Sequence, residues 1–152
     1  MQKGGLGSAS VVLKNGYTVG SLVVANPMGS VTTASGKYFW AAPFEVDGEF
    51  GGMGVDPEHA NFDGKQSLKE AAMMVFNAEM SNTTIAIVAT DAPLTKTQCH
   101  RLAVTAHDGM ARAIVPSHTP LDGDLIFGVS TTNGAVDYNI FRDIGAAAAV
   151  CL

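Results

Sequence analysis

Positive charge is scarce in this chain. It has 9 Lys and Arg residues against 14 Asp and Glu residues, which gives a formal net charge of -5, and no segment gathers basic residues. Nucleic acids and anionic membranes both bind proteins through a basic face. We therefore expect neither nucleic acid nor a membrane as a partner.

Cysteine and long apolar segments are also scarce. Cys99 and Cys151 are too few for a disulfide framework, which favours a reducing compartment. No apolar segment approaches the roughly 20 residues of a membrane-spanning helix. The first residues lack the apolar centre of a signal peptide. The sequence therefore predicts a cytoplasmic protein.

Charged residues of either sign make up only 15% of the chain, whereas 47% of its residues are hydrophobic. A soluble domain usually has about 25% charged residues. The length of 152 residues suits a single core. We therefore expect one domain, residues 1–152, with part of its surface covered by further chain or by other subunits.

Two β-forming segments open the chain. Residues 8–13 and 17–25 are joined through Asn15-Gly16, the strongest short-range signal for a β-hairpin. The second strand should end at Asn26-Pro27, because proline cannot donate a hydrogen bond to a neighbouring strand. The first third of the domain is thus predicted to be a hairpin.

The next segment, residues 29–66, is rich in glycine and acidic residues and has no hydrophobic period. A loop of this length inside one domain is usually functional, so we expect a mobile loop there. Ser67 and Glu70 then match a capping box, which predicts a short helix that ends near Asn77.

The second half is predicted to contain a strand, a helix and a further strand at residues 84–90, 95–114 and 125–130. Thr95 and Gln98 match a second capping box at the start of the helix. A final alanine-rich helix begins near residue 137 or 139. The chain reaches Leu152 without a capping signal for this helix, which indicates an incomplete element.

Thr83 lies where a polar segment meets the predicted strand at 84–90. A self-processing hydrolase needs a hydroxyl at such a rigid strand edge, since its nucleophile first attacks the peptide bond that precedes it. A polar loop that simply enters a strand has the same local sequence. The segment by itself leaves both interpretations open.

Asp122 and Asp124 flank Gly123 just before the strand at 125–130. They form either a tight turn with solvated carboxylates or a pair aimed at a nucleophile on the neighbouring strand, since strand–helix–strand units bring strand ends together. A metal site that includes His118 is the weaker interpretation, because the spacing matches no established ligand set.

Four further polar residues have simpler explanations when each is taken alone. His100 and His107 share one face of the predicted helix, where a structural or surface role is expected. Lys3 precedes the glycine-rich start, and Asn26 closes the second strand. The residue types alone indicate surface or turn positions for both.

The ordered motifs resemble a known family. They lie at residues 3–10, 23–27, 82–86, 101–114 and 118–124. Together they resemble the self-processing L-aminopeptidase/D-esterase family, which includes the β-peptidyl aminopeptidases. The segment at 82–86 is most similar to the branch of endo-type nylon-oligomer (6-aminohexanoate-oligomer) hydrolases.

This resemblance implies autocleavage between Asn82 and Thr83. Thr83 would attack the Asn82 carbonyl, and hydrolysis of the resulting ester would leave Thr83 as the N-terminal nucleophile. Its free α-amino group, with an ordinary pKa of about 7.7–8.0, would then act as the base.

The resemblance also implies roles for four other residues. Asp122 and Asp124 would orient the Thr83 hydroxyl and stabilise the ammonium form of the new N-terminus. Asn26 would donate a side-chain N–H to the developing oxyanion. Lys3 would assist proton transfer or stabilise negative charge.

The fold implied is α+β, part of a four-layer αββα sandwich of the N-terminal-nucleophile-hydrolase type. No metal or organic cofactor is implied. The substrate would be a small peptide or another amide, such as an ω-amino-acid oligomer, and the full-length form is expected to be a homo-oligomer.

Compared with that family, the chain is expected to be a fragment truncated at both ends. Two alternatives therefore stay open. One is an inactive relative that acts as a structural or assembly domain. The other is a hydrolase of the same fold that prefers esters or D-amino acids.

Overall fold

The computed structural model describes residues 3–58, 69, 71, 72, 75 and 82–152. The described residues form one four-stranded sheet in the order β1-β2-β3-β4. The strands are β1 (Gly5–Val12), β2 (Thr18–Asn26), β3 (Thr83–Thr90) and β4 (Leu125–Ser130), and the helices are α1 (Lys96–Ala113) and α2 (Tyr138–Cys151). The predicted α+β class is confirmed.

The β-hairpin is confirmed, with β1 antiparallel to β2. The Leu13 backbone N–H donates to the Tyr17 carbonyl at 2.8 Å. Gly16 lies between them with a φ of 90°, which glycine adopts without steric cost. The second strand ends at Asn26, as the proline after it predicts.

The strand–helix–strand unit is also confirmed, since β3 and β4 are parallel and α1 connects them. Thr95 Oγ1 accepts the Gln98 backbone N–H at 3.2 Å, and Gln98 Oε1 accepts the Thr95 backbone N–H at 3.1 Å. This reciprocal capping satisfies two donors at the start of the helix. β3 begins at Thr83, so this residue belongs to the strand.

The core lies between the two helices and one face of the sheet. Its fully or nearly fully buried apolar residues include Val19, Ala86, Val88, Leu102, Ala106, Met110, Ile126, Ile144 and Ala148. The residues from α1 follow helical spacing, and those from β3 alternate along the strand. Burial of these side chains fixes the strand ends relative to the helices.

The opposite face of the sheet is also apolar, but it is exposed. The strand register places one apolar row across all strands: Leu6, Val24, Ile85 and Leu125. A second row contains Leu22, Ile87 and Phe127. These side chains are 42–71% exposed. The described residues thus provide one sheet layer and one helix layer of the expected four.

The segment between β2 and residue 58 is irregular, as predicted. It contains a short 3-10 helix, Ala42–Phe44, and single β-bridges such as Ser30 to Val115. The Thr33 hydroxyl donates to the buried Asp56 carboxylate at 2.7 Å, which ties two parts of the segment together. The mobility expected of this loop stays a prediction.

The predicted capping box of Ser67 and Glu70 lies outside the described residues. The backbone is helical at Lys69, Ala71, Ala72 and Val75. In the described part of the chain, no helix combines the length and apolarity needed to cross a membrane.

Candidate active site

One end of the sheet brings together the segments that carry four of the predicted site residues. Asn26, the last residue of β2, is the register partner of Thr83, the first residue of β3. Asn82 forms a parallel bridge with Asp122, which places the loop before β4 beside the start of β3. Asp124 accepts a backbone N–H group of β3.

The Thr83 hydroxyl lies against the carbonyl group of Asn82. It donates a hydrogen bond to that oxygen at 2.5 Å, and the Gly123 backbone N–H donates to the same oxygen at 3.1 Å. A Cβ at position 123 would lie 2.9 Å from Thr83 Oγ1. Glycine at this position therefore leaves room for the hydroxyl while its N–H polarises the carbonyl.

Asp122 ties its own loop to the end of β2. Its Oδ1 accepts the Met28 backbone N–H at 2.8 Å, and its Oδ2 accepts the Thr119 hydroxyl at 2.6 Å. The Asp122 backbone N–H also donates to the Thr119 carbonyl at 2.9 Å. The loop is thus a turn, as one interpretation of the sequence has it, but its carboxylate is engaged with protein groups.

Asp124 holds the start of β3. Its Oδ1 accepts the Thr84 backbone N–H at 2.8 Å, and its Oδ2 accepts the His118 backbone N–H at 3.0 Å. The side chain is completely buried. A buried carboxylate must be compensated by such donors, so these contacts hold Thr84, and with it the adjacent Thr83, in place.

Two histidines extend this arrangement. His118 Nε2 and His107 Nδ1 are 3.0 Å apart, and His118 Nδ1 lies 3.7 Å from the Asp124 carboxylate. Burial, followed by the neighbouring His118, lowers the pKa of His107 below its ordinary value. Sequence reasoning gave His107 a structural or surface role and did not find its contact with His118. His100, on the same helix, is exposed.

Lys69 is a site residue that sequence reasoning missed. Its ammonium group donates to Asn26 Oδ1 at 2.9 Å and to the Pro27 carbonyl at 3.0 Å. Burial lowers the pKa of Lys69, while the negative charge of Asp122 raises it. No local pattern links this lysine to Asn26, which is 43 residues away.

Lys3 is exposed and precedes β1. Because Gly5 pairs with Ala25, Lys3 lies at the same end of the sheet as Asn26. Within the described residues, the Lys3 ammonium group makes no hydrogen bond or ion pair to the other predicted site residues. The catalytic role assigned to Lys3 stays a prediction.

Among the residues that the structure describes, no group of three or more His, Cys, Asp and Glu side chains is arranged to hold a metal ion. The described groups at this end of the sheet include a hydroxyl, two carboxylates, an amide and an ammonium group.

Known proteins match this chain in both sequence and fold. The family model of peptidase family S58 matches residues 1–150. An uncharacterized aminopeptidase of Mycobacterium tuberculosis is 38% identical over 99% of this chain and 45% of its own length. A 6-aminohexanoate-oligomer endohydrolase of Paenarthrobacter ureafaciens is 30% identical over 73% of this chain and 29% of its own length.

A solved structure shows the same fold. The L-aminopeptidase D-Ala-esterase/amidase of Ochrobactrum anthropi, a variant of the Ntn hydrolase fold, superposes with a TM-score of 0.61 over 98% of this chain and 38% of its own. At 22% identity, this likeness concerns the fold alone.

The chain spans less than half of the length of the mycobacterial relative. The family match nevertheless covers nearly every residue of the chain, and the resemblance inferred from the motifs is confirmed. This chain therefore belongs to peptidase family S58.

Proposed function

We propose that this protein is an amide-bond hydrolase that cuts its own Asn82–Thr83 bond and then uses Thr83 as its N-terminal nucleophile. The observation that carries the proposal is the pair of donors on the Asn82 carbonyl, the Thr83 hydroxyl at 2.5 Å and the Gly123 N–H at 3.1 Å. The group that would attack and a donor for the developing oxyanion thus meet at the same bond.

The self-cleavage step can be written with all atoms balanced. Thr83 Oγ bonds to the Asn82 carbonyl carbon, the bond from that carbon to the Thr83 nitrogen breaks, and the hydroxyl proton passes to the leaving nitrogen. Water then hydrolyses the Asn82 ester. The products are a carboxylate at Asn82 and a free α-amino group at Thr83.

After the cut, the same hydroxyl would attack a substrate amide. The new α-amino group, whose ordinary pKa is about 7.7–8.0, accepts the hydroxyl proton near neutral pH. Asp124 holds the strand that carries the nucleophile, and Asp122 ties the neighbouring loop to the end of β2. Asn26 donates its side-chain N–H to the substrate oxyanion, and Lys3 supplies positive charge from the same end of the sheet.

The names of the relatives support the substrate class. One relative is named an aminopeptidase and another a 6-aminohexanoate-oligomer endohydrolase, and both names denote hydrolysis of an amide bond. We propose N-terminal residues of small peptides or ω-amino-acid oligomers as substrates of this protein. A homo-oligomer of cleaved chains is part of the same proposal.

A second candidate is a structural or assembly domain without activity. The exposed apolar rows of the sheet favour it, because a contiguous apolar surface of this kind marks a contact with another layer or subunit. It differs from the first candidate in one measurable respect: such a protein has no need to cut itself.

The test is the fate of the Asn82–Thr83 bond in the purified protein. We expect two fragments on a denaturing gel, with Thr83 as the new N-terminus by sequencing or mass spectrometry. Thr83→Ala should stay intact, because it lacks the nucleophile, and Thr83→Ser should retain partial cleavage.

The matched control is Thr90→Ala, which removes a strand hydroxyl that donates to the Thr18 carbonyl at the opposite end of the sheet. This variant should be cut like the wild type. Cleavage in Thr83→Ala refutes the nucleophile, and a wild-type chain that stays intact supports the structural candidate. A panel of amino-acid amides, ω-amino-acid oligomers and D-amino-acid esters then separates the substrate classes.

A further inference from the structure

Lys69 makes an unusual set of contacts for a surface lysine. Its three ammonium hydrogens face three oxygens: Asn26 Oδ1 at 2.9 Å, the Pro27 carbonyl at 3.0 Å and the Asn26 carbonyl at 3.4 Å. An ammonium group has three donors and no acceptor, so these oxygens account for its full capacity. The ammonium is thus anchored at the end of β2.

The contact with Oδ1 determines how the Asn26 amide is oriented. A side-chain amide carries its acceptor oxygen and its NH2 group on opposite sides of one plane. Because the oxygen faces an ammonium group, a flipped amide would place its NH2 donors against other donors. The unflipped state, with the NH2 group pointing away from Lys69, is therefore favoured.

The position of Asn26 makes this orientation consequential. Its register partner is Thr83, so the amide lies beside the residue that carries the reactive hydroxyl. The positive charge of the Lys69 ammonium group, which lies beside the amide oxygen, also draws electron density from the NH2 group. This makes the NH2 group a stronger hydrogen-bond donor.

We propose that Lys69 is a positioning residue that fixes the orientation of the Asn26 amide, with its NH2 group directed toward the oxyanion formed at Thr83. This inference rests on the proposed function, and it adds a residue from the segment that precedes the cut. Lys69 touches neither the scissile bond nor the hydroxyl in this arrangement; it acts through Asn26.

Steady-state kinetics of the purified, cleaved protein test the proposal, with an amino-acid amide substrate on which the wild type is active. Lys69→Met, which loses every donor, should lower kcat about 10-fold with little change in KM, since an oxyanion donor acts mainly in the transition state. Lys69→Arg keeps the charge and should recover at least half of the lost rate. Lys14→Met, an exposed lysine of the hairpin turn, is the control and should match the wild type.

A double-mutant cycle separates positioning from a general structural effect. If Lys69 acts through Asn26, Lys69→Met should have no further effect on kcat in an Asn26→Ala background. An equal 10-fold fall in both backgrounds overturns the proposal, as does a Lys69→Met enzyme with wild-type kcat. If Lys69→Met melts below the assay temperature, Lys69→Gln replaces it in the same cycle.

Rejection of the role of Lys69 can be distinguished from a failure of the proposed function. Loss of the proposed function appears as a wild-type chain that is not cut or as a Thr83→Ala variant that is. A wild type that is cut and active, beside a Lys69→Met variant with unchanged kcat, rejects the role of Lys69 alone.

Discussion

The two ends of the sheet use the same hydrogen-bonding device. At the end far from the site, the exposed Asp91 accepts the Thr18 backbone N–H at 2.8 Å. At the site end, Asp122 and Asp124 accept the backbone N–H groups of Met28 and Thr84, each at 2.8 Å. An aspartate that secures a strand end is therefore not by itself a sign of catalysis.

The ends differ in what their hydroxyl groups contact. At the far end, the Thr90 hydroxyl donates to the Thr18 carbonyl and the Ser130 hydroxyl to the Ala92 carbonyl, each at 2.7 Å, which closes the loops there. At the site end, the Thr83 hydroxyl faces the carbonyl of the residue that precedes it. This arrangement places a hydroxyl against the carbonyl of its own preceding peptide bond.

The largest expected effect is on the cleavage rate, which should fall when an aspartate at the site end is replaced but not when Asp91 at the far end is replaced. Asp122→Asn and Asp124→Asn should slow cleavage of the Asn82–Thr83 bond by about 100-fold or more, because the chain around that bond would be displaced. Each carboxylate uses both of its oxygens as acceptors, so an amide would set its NH2 group against a donor. Asp91→Asn should be cut at the wild-type rate and lose about 1 kcal/mol of unfolding free energy, the typical contribution of one hydrogen bond.

A time course of cleavage after synthesis, together with denaturant unfolding of each variant, measures both quantities. If Asp91→Asn slows cleavage as much as the site-end variants do, the three aspartates share a structural role and the comparison fails.

A smaller effect is expected from Gly123→Ala. The added Cβ would lie 2.9 Å from Thr83 Oγ1, so the hydroxyl must move away from the Asn82 carbonyl. A displacement of this order can cost about 100-fold in rate, and we expect a loss of about 10- to 100-fold in cleavage.

Gly7→Ala is the matched control for this change, since a Cβ at Gly7 in β1 meets open space. Its cleavage rate should equal that of the wild type. A Gly123→Ala chain that is cut at the wild-type rate would show that the hydroxyl tolerates the displacement and that the close approach at Gly123 is incidental.

The smallest effect concerns pH, and only the site end should show it. The pKa of His107 is lowered on folding, so the unfolded chain binds the proton more readily, and stability falls as the pH drops from about 6.5 through the folded pKa. The charged groups that face this ring are His118, Asp124 and Asp108.

Thermal melts between pH 5 and 7.5 test this prediction. Relative to the wild type, the melting temperature of His107→Asn should fall less toward acid, by at most about 2 °C, because a partly buried ring contributes little. His100 lies on the same helix but is exposed, so His100→Asn should keep the wild-type dependence of melting temperature on pH. If the melting temperatures of all three proteins change equally with pH, His107 does not contribute to the loss of stability in acid.

Local signals predicted most of the fold correctly. Asn15-Gly16 indicated the hairpin turn, and the Thr95–Gln98 capping box marked the start of α1, because turns and caps depend on residues a few positions apart. The position of β4 beside β3 also followed from local patterns, since a strand–helix–strand unit commonly returns to a parallel neighbour.

The site was only partly predictable. Residue types alone left Thr83, Asp122 and Asp124 open to plain structural explanations, and Asn26 and Lys3 pointed to surface or turn positions. Family resemblance, not spacing, selected all five. The structure brings the segments of Asn26, Thr83, Asp122 and Asp124 to one sheet end and leaves Lys3 exposed before β1.

The sequence by itself determined which segments become strands and helices, whereas its resemblance to a family, rather than the local pattern, pointed to the Asn82–Thr83 bond. Only the tertiary structure decided that Lys69 binds the Asn26 amide, that His107 meets His118, and that one apolar face of the sheet stays exposed. The physical reason is the separation of the residues along the sequence. Turns and caps join residues a few positions apart, whereas these contacts depend on how strands and helices pack against one another.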